Sequence, residues 1–229
     1  MAKFTLEEIQ ANEKITVMVQ HTQDYLDTLG YTDHGPRHAA YVSKTTGKIL
    51  HSLGFPRDRV ELGKIAGWIH DVGNFINRKY HSLTGAVLMF DELQQIGMDF
   101  EDVCVVCQAI GSHDEEIGKP VSDISAALII ADKVDAYKKR VRSRAAKPDI
   151  HMRVNKSIYW TDVDINKEES LITFDLKMKE YSSPMEFMQI YAGRMELCQE
   201  SAQYLGCTFK LIINDLVMNL IETDAGSKH

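Results

Sequence analysis

The sequence predicts a mainly α-helical fold, a helical bundle that is followed by a small α+β extension. Two observations predict the helices: apolar residues recur at helical spacing through most of residues 1–150, and capping residues mark several helix starts. The third observation is the strand-like alternation of apolar and polar residues between Ile172 and Met178. We therefore expect a helical domain over residues 1–150 and an α+β extension over residues 151–229 that packs on it.

Start and stop signals divide the first part of the chain into helices. Thr5 and Glu8 have the spacing of a capping box and open a helical stretch that Gly30 should end. Pro36 suits the first turn of the next helix, which should stop at Gly54. Further helices are expected over residues 56–71, 79–96, 99–110 and 122–134.

The extension combines strands with one helix. Residues 157–164 and 171–178 are predicted as two strands that a polar turn joins, and a third strand could follow at 209–213. Before that third strand, Ser183 has a capping position and opens a helix that should end near Gly206. We expect an antiparallel sheet of two or three strands with this helix beside it.

Composition and charge limit the classes of protein. The formal net charge of −7 argues against nucleic acid as a partner. The four cysteines have apolar neighbours, so we expect buried reduced thiols, and the lone Cys104–Cys107 pair is weak evidence for a metal or redox site. Residues 1–14 lack the pattern of a signal peptide, and no apolar run reaches the roughly 20 residues that span a bilayer. These features predict a cytoplasmic protein without a membrane partner, and they leave a homo-oligomer open.

Histidines and aspartates form an ordered set along the helical part of the chain. Each of them falls at a predicted helix end or on a helix face, and a helical bundle can direct such side chains into one cavity. Imidazole and carboxylate groups together suit first-row metals such as manganese, iron, nickel or zinc. The members of the set are His34, His38, His70, Asp71, His81, His113, Asp114 and Asp132.

The pair His70-Asp71 lies directly after the apolar segment 65–69. Two ionisable residues at the inner end of a buried helix are costly unless a charge such as a metal ion compensates them. The pair is weak evidence by itself, because a histidine also suits the negative end of a helix dipole and such dipeptides are common. The pair becomes good evidence for a metal site only together with the other members of the set.

The order and local context of these residues resemble the HD superfamily of metal-dependent phosphohydrolases. The matching segments read HAAYV from His38, WIHDVG around His70-Asp71, and ADKVDA around Asp132, and they span roughly residues 30 to 140. By this resemblance His38, His70, Asp71 and Asp132 bind a first metal ion. The resemblance also implies that Asp71 bridges two ions when a second one is present.

Two further segments resemble a binuclear subset of that family. His81 precedes a Gly-Ala pair on a helix, and His113-Asp114 stands where the HD-GYP cyclic-dinucleotide phosphodiesterases usually have two histidines. Asp114 and the sequence Gly-Lys-Pro at residues 118–120 depart from the HD-GYP pattern and argue against cyclic di-guanylate as the substrate. The resemblance therefore implies one or two divalent ions (Mn, Fe, Ni, Zn or Mg), the second on Asp71, His81 and His113.

Basic residues near the ligand set are candidates for binding phosphate. Lys133 and Arg140 are the first candidates, and Arg78 and Lys79 follow the His-Asp pair by one short loop. The alternative interpretation is that the basic residues after Asp132 form a helix face that is exposed to solvent. His34 could contact substrate, bind metal directly or indirectly, or belong to a turn. The basic residues after the last predicted ligand are Lys133, Lys138, Lys139, Arg140, Arg142, Arg144, Lys147 and Arg153.

The resemblance implies hydrolysis of a phosphate ester by a metal-activated hydroxide, with a nucleotide or small phosphorylated metabolite as the substrate. Asp71 would lie at the catalytic centre, and Asp114 or Glu115 could act as general base or protonate the leaving group. No Walker A loop and no Gly-x-Ser-x-Gly elbow occurs in the sequence. Two alternatives stay open: a sensor module that binds metal or nucleotide without catalysis, and an oxygen-using di-iron enzyme.

Overall fold

The computed structural model describes residues 4–141 and 150–219, which contain nine α-helices and one four-stranded sheet. This confirms the mainly helical fold with a small α+β part. The predicted basic residues Arg142, Arg144 and Lys147 lie outside the described residues. In chain order the elements are α1 (Leu6–Ala11), α2 (Glu13–Leu29), α3 (Pro36–Leu53), α4 (Arg57–Ile69), α5 (His81–Gln95), α6 (Phe100–Gly111), α7 (Asp123–Lys133), α8 (Ile150–Ser157), β1 (Ile158–Asn166), β2 (Leu171–Met178), α9 (Pro184–Tyr204), β3 (Thr208–Ile213) and β4 (Leu216–Val217).

Most predicted helix ends are confirmed, and the first helix is the exception. The capping box of Thr5 with Glu8 is present, and Gly30 ends α2 in the left-handed region with a φ of 78°. The prediction of one continuous helix between them was wrong, because Asn12 interrupts it with extended backbone. The Asn12 side chain accepts a hydrogen bond from the backbone N–H of Ile15 and so caps a new helix. Helix α8 was not expected either.

The sheet differs from the antiparallel arrangement that the sequence suggested. Strand β1 pairs antiparallel with β2, but β3 lies on the other side of β2 and runs parallel to it. The 21 residues of α9 connect β2 to β3, and a connection of that length permits the crossover that a parallel pair requires. A short fourth strand, β4, then pairs antiparallel with β3.

Close approach of helices brings the ligand-bearing segments together. A Cβ atom at Gly67 in α4 would lie 2.7 Å from Cα of Ser43 in α3, so the glycine permits these two helices to touch. A Cβ atom at Gly73 would lie 2.0 Å from the carbonyl oxygen of His81 and 2.6 Å from the nitrogen of Gly85. The turn after the His-Asp pair therefore lies directly against the first turn of α5.

The α+β part packs on the helices through α9, which lies against both α7 and β3. The division into residues 1–150 and 151–229 stays a prediction. All four cysteines are free, and burial raises the pKa of the Cys107 thiol to about 12. Among the described residues, no helix combines the length and the apolar character that crossing a membrane requires.

Candidate metal centre

Six predicted ligands converge in one buried cluster. They come from α3, the ends of α4 and α6, the first turn of α5, and the last turn of α7, and each is less than 10% exposed. We call His38, His70 and Asp132 the first group and His81 with His113 the second group, and Asp71 lies between the two. Three sets of donor atoms lie within 4.8 Å of one another: His38, His70 and Asp71; His70, His113 and Asp132; and Asp71, His81 and His113.

The four imidazole rings all present their Nε2 atoms to the cluster. Their Nδ1 atoms face outward, where carbonyl or carboxylate oxygens require them to donate. Nδ1 of His70 lies 2.9 Å from the carbonyl oxygen of Gly67, and Nδ1 of His113 lies 2.6 Å from that of Ile110. Because each Nδ1 faces an oxygen that accepts its proton, a neutral ring in any of these positions points its Nε2 lone pair inward, as in metal sites.

These inward Nε2 atoms come close to one another in pairs. The Nε2 atoms of His38 and His70 are 3.3 Å apart, and those of His81 and His113 are 3.1 Å apart. Two lone pairs that face each other at this distance repel unless a proton or a metal ion lies between them. Since metal–nitrogen distances are about 2.0–2.1 Å, two ligands of one ion lie roughly 3–4 Å apart, which fits both pairs.

Asp71 divides its two carboxylate oxygens between the groups. Its Oδ2 lies 3.3 Å from Nε2 of His70 and 3.6 Å from Nε2 of His38. Its Oδ1 lies 3.2 Å from Nε2 of His81 and 3.7 Å from Nε2 of His113. Oδ2 is buried without a hydrogen-bond donor among the described residues, which is costly for a carboxylate oxygen unless a cation is bound there.

The electrostatics of the cluster also indicate a cation. Burial alone would lower the pKa of His70, but the charge of Asp71 and the closeness of the Asp132 and Asp71 carboxylates raise it to about 10. Burial would raise the pKa of Asp71, yet His70, His113 and His81 hold it well below its usual range. A raised histidine pKa beside a lowered aspartate pKa indicates a site that favours positive charge, and the donor set fits a divalent ion.

Two residues that the sequence did not single out orient the ligands. Oδ2 of Asp135 lies 2.7 Å from Nδ1 of His38, which makes a carboxylate–histidine pair of the kind that supports metal ligands. The side-chain amide of Asn74 donates to Oδ1 of Asp71 at 2.9 Å. Both lie three residues after an aspartate of the ligand set, a helical spacing that could have indicated them.

Lys133 and Arg140, the first candidates for phosphate contacts, are engaged in the interior. Nζ of Lys133 lies 2.6 Å from Oδ2 of Asp132 and 2.7 Å from Oε2 of Glu115. The guanidinium of Arg140 donates to the carbonyl oxygens of Asp33 and Asp135 at 3.2 and 2.9 Å. Both side chains are less than 10% exposed, so their contacts favour structural roles near the cluster.

Arg78 is the predicted cation that faces the cluster. Its Nη1 atom lies 3.3 Å from Nε2 of His81 and 3.2 Å from Oδ1 of Asn74, and the side chain is partly exposed. Lys79 is exposed and lies over the ring of Tyr80, 4.9 Å from its centroid. The contact of Lys79 therefore does not connect it to the ligands.

His34 lies beside the first group and is 9% exposed. Its ring centroid is 5.4 Å from that of His38, and its Nδ1 lies 2.7 Å from the carbonyl oxygen of Thr32. Burial, and then the charge of Arg140, lower the pKa of His34 well below its ordinary value. A neutral ring in this position can accept a hydrogen bond from a bound molecule.

Asp114 and Glu115, the predicted acid–base residues, both have ionic partners. Oδ2 of Asp114 lies 3.1 Å from Nδ1 of His81, and Glu115 binds Lys133 and Arg194. Burial would raise the pKa of Glu115, but the charges of Lys133 and Arg194 hold it far below its usual range. A carboxylate held so firmly in its charged form is a poor proton donor, so these contacts favour positioning roles for both residues.

Fold and cluster together define a class of structure: a helical protein with a buried centre of histidines and aspartates that could hold metal. The six residues that the resemblance to the HD superfamily implied as ligands lie together in space, although they are far apart along the chain.

Known proteins similar to this chain include one curated protein and one solved structure. Over 194 residues the chain is 26% identical to the uncharacterized protein MJ1020 of Methanocaldococcus jannaschii, and the match covers 74% of each protein. Among solved structures, it is similar to a predicted HD superfamily hydrolase from an uncultured Thermotogales bacterium. That match has a TM-score of 0.45 and 23% identity, and it covers 58% of this chain and 75% of the other. No family model matches the chain.

Proposed function

We propose that the protein is a metal-dependent phosphohydrolase that cleaves a phosphate ester of a nucleotide or small phosphorylated metabolite. The observation that carries the proposal is the position of Asp71, whose two oxygens each face a pair of imidazole nitrogens. This arrangement suits two divalent ions that share one carboxylate. The His, His-Asp, Asp order of the HD superfamily supports the same reaction class.

Different residues of the chain would have different roles in such a reaction. Bound divalent ions supply Lewis acidity and lower the pKa of water towards neutrality. The first group and the second group fix the reacting centre, while Asp135 and Asn74 hold His38 and Asp71 in orientation. Arg78 lies beside His81 and is positioned to donate hydrogen bonds to phosphate oxygens.

Hydrolysis of generic esters by metal-loaded protein tests the proposal. Protein stripped by a chelator would be reloaded with Mn, Fe, Co, Ni, Zn or Mg and assayed with p-nitrophenyl phosphate and bis-p-nitrophenyl phosphate. We expect cleavage with at least one metal and its loss, together with loss of tight metal binding, in Asp71→Ala. Equal cleavage by Asp71→Ala in metal-free buffer would contradict the proposal.

A non-catalytic sensor is the second candidate, and the engagement of Lys133 and Arg140 favours it. Among the described basic residues that were predicted to bind phosphate, Arg78 is the one whose side chain faces the candidate ligands. One arginine gives little stabilisation to the negative charge that develops on the phosphoryl oxygens during hydrolysis. Calorimetric titration with nucleoside mono-, di- and triphosphates separates the candidates. Tight binding of a nucleotide without turnover under every metal would favour the sensor.

A further inference from the structure

We propose that Lys133 blocks one oxygen of Asp132, and that Glu115 and Arg194 hold it there. Helix α9 thereby helps to position a residue of the metal centre. The inference rests on the proposed metal site, and it assigns positioning roles to Lys133, Glu115 and Arg194. None of these three residues is needed as a metal ligand.

The two oxygens of Asp132 have different surroundings. Oδ1 faces the cluster, 3.2 Å from Nε2 of His38 and 3.7 Å from Nε2 of His70. Oδ2 lies 2.6 Å from Nζ of Lys133. With Oδ2 engaged by an ammonium group, Asp132 offers one oxygen to a metal ion, which preserves an open coordination position for water or substrate.

The position of Lys133 next to Asp132 in the sequence does not by itself bring its ammonium group to the Asp132 carboxylate. Neighbouring residues in a helix point in different directions, so its side chain must bend back towards Asp132. Lys133 is only 6% exposed, and a buried ammonium group needs anionic partners. Glu115 supplies the second partner, because its Oε2 lies 2.7 Å from Nζ and draws the side chain across the end of α7.

Arg194 fixes Glu115 from the opposite side. Its Nε and Nη2 atoms both lie 3.0 Å from Oε1 of Glu115, so the two oxygens of that carboxylate are divided between the lysine and the arginine. The guanidinium also lies over the ring of Tyr191, 5.1 Å from its centroid. The hydroxyl of Tyr191 is 2.6 Å from Oδ1 of Asn155, which ties this contact to α8.

Cobalt(II) absorption tests the inference, since its intensity falls as the coordination number rises. The measurements use a His81→Ala background, so that the ion reports on the first group. We expect Lys133→Met to free Oδ2 for binding and to lower the cobalt band by about twofold or more. Arg194→Gln should also lower the intensity of the cobalt band, but by less than Lys133→Met. Arg194→Lys, which keeps the positive charge, should have the intensity of the parent protein.

Arg59→Gln is the matched control. Arg59 pairs with Asp123 at the other end of α7, and its side-chain exposure of 28% is close to the 31% of Arg194. This variant loses a comparable ion pair and should keep the parent cobalt spectrum. If Lys133→Met does not fold, the three arginine variants decide the question.

Several outcomes would overturn the inference. A parent spectrum in Lys133→Met would exclude the blocking of Oδ2, and equal spectra of Arg194→Gln and Arg59→Gln would exclude the part played by α9. Failure of the parent protein to bind cobalt would remove the metal site itself. Because none of these readouts needs turnover, a protein that shows the expected spectra but cleaves no phosphate ester contradicts only the proposed function.

Discussion

The first group and the second group of ligands are supported in different ways. In the first group, charged side chains support the ligands: Asp135 binds His38, and Lys133 binds Asp132. In the second group, Nδ1 of His113 donates to a backbone carbonyl, and Nδ1 of His81 faces both the carbonyl of Arg78 and the carboxylate of Asp114. The cationic side chain of Arg78 lies 3.3 Å from Nε2 of His81. An anionic partner strengthens a histidine as a ligand, whereas a neighbouring guanidinium opposes a bound cation.

The two halves of the centre should therefore hold metal with unequal strength. Both groups have a carboxylate behind one histidine, but their cations lie at different atoms. In the second group Arg78 contacts Nε2 of His81, the atom that would bind an ion, whereas in the first group Lys133 contacts Oδ2 of Asp132 and leaves Oδ1 near His38. We therefore expect the first ion to bind more tightly than the second.

The largest effect should come from removing a ligand. His38→Ala should lower affinity at the first group by more than the roughly 10–100-fold that loss of an outer-shell partner costs, and it should abolish activity. His81→Ala should lose the second ion and retain one. Metal analysis after dialysis gives the stoichiometry of each variant. Equal losses in both variants would show that the two groups do not differ.

Gly73→Ala should damage the second group through the backbone. The new methyl group would lie 2.0 Å from the carbonyl oxygen of His81, so α5 must move away from the turn that follows Asp71. We expect a loss of about 2–4 kcal/mol in the free energy of unfolding, together with weaker binding of the second ion. Urea denaturation and metal titration measure these quantities. Gly193→Ala, where the new Cβ meets no atom within 4 Å, is the control.

Asp135→Asn should weaken the first group without removing a ligand. The neutral amide is a weaker acceptor for Nδ1 of His38 than the carboxylate 2.7 Å away, so affinity for the first ion should fall roughly 10–100-fold. The corresponding change behind the second group is Asp114→Asn, which leaves the carbonyl of Arg78 beside Nδ1 of His81. A larger effect from Asp114→Asn would reverse the expected order.

A further effect concerns pH. In metal-free protein the pKa of His70 is raised to about 10, so its stabilisation is complete below the ordinary value of 6.5 and is lost as the pH rises towards 10. From pH 6.5 to 9, the free energy of unfolding should fall by at most about 1.4 kcal/mol per pH unit. Metal-loaded protein should lack this decline, because bound metal requires deprotonated ligands. Thermal unfolding with and without metal tests this, and a flat metal-free profile would contradict it.

The sequence predicted the helices and the ligand set for clear physical reasons. Capping at Thr5 and Ser183 depends on residues three positions apart, and such local signals are visible in the chain. The six residues of the buried cluster were predicted because their order and contexts resemble a known family. The break at Asn12 was missed because an asparagine inside a helical pattern is as compatible with a polar face as with a cap.

Long-range partners were much harder to predict. Nothing in the local sequence indicated that β3 pairs parallel to β2, because that depends on where α9 packs. Arg194 lies 79 positions from Glu115, so no short spacing indicates their contact. The positions of Lys133 and Arg140 show the same limit, since their basic character suggested phosphate while their burial depends on the assembled helices.

The ligands of the centre are widely separated along the chain, from His38 to Asp132, and they meet only when five helices have packed. An ion held by all of them has no comparable site in the unfolded chain, so its binding favours the folded protein by mass action. A free metal concentration of 100 times the dissociation constant adds about 2.7 kcal/mol to stability. Metal supply would then govern how long the protein survives in the cell as well as whether it reacts.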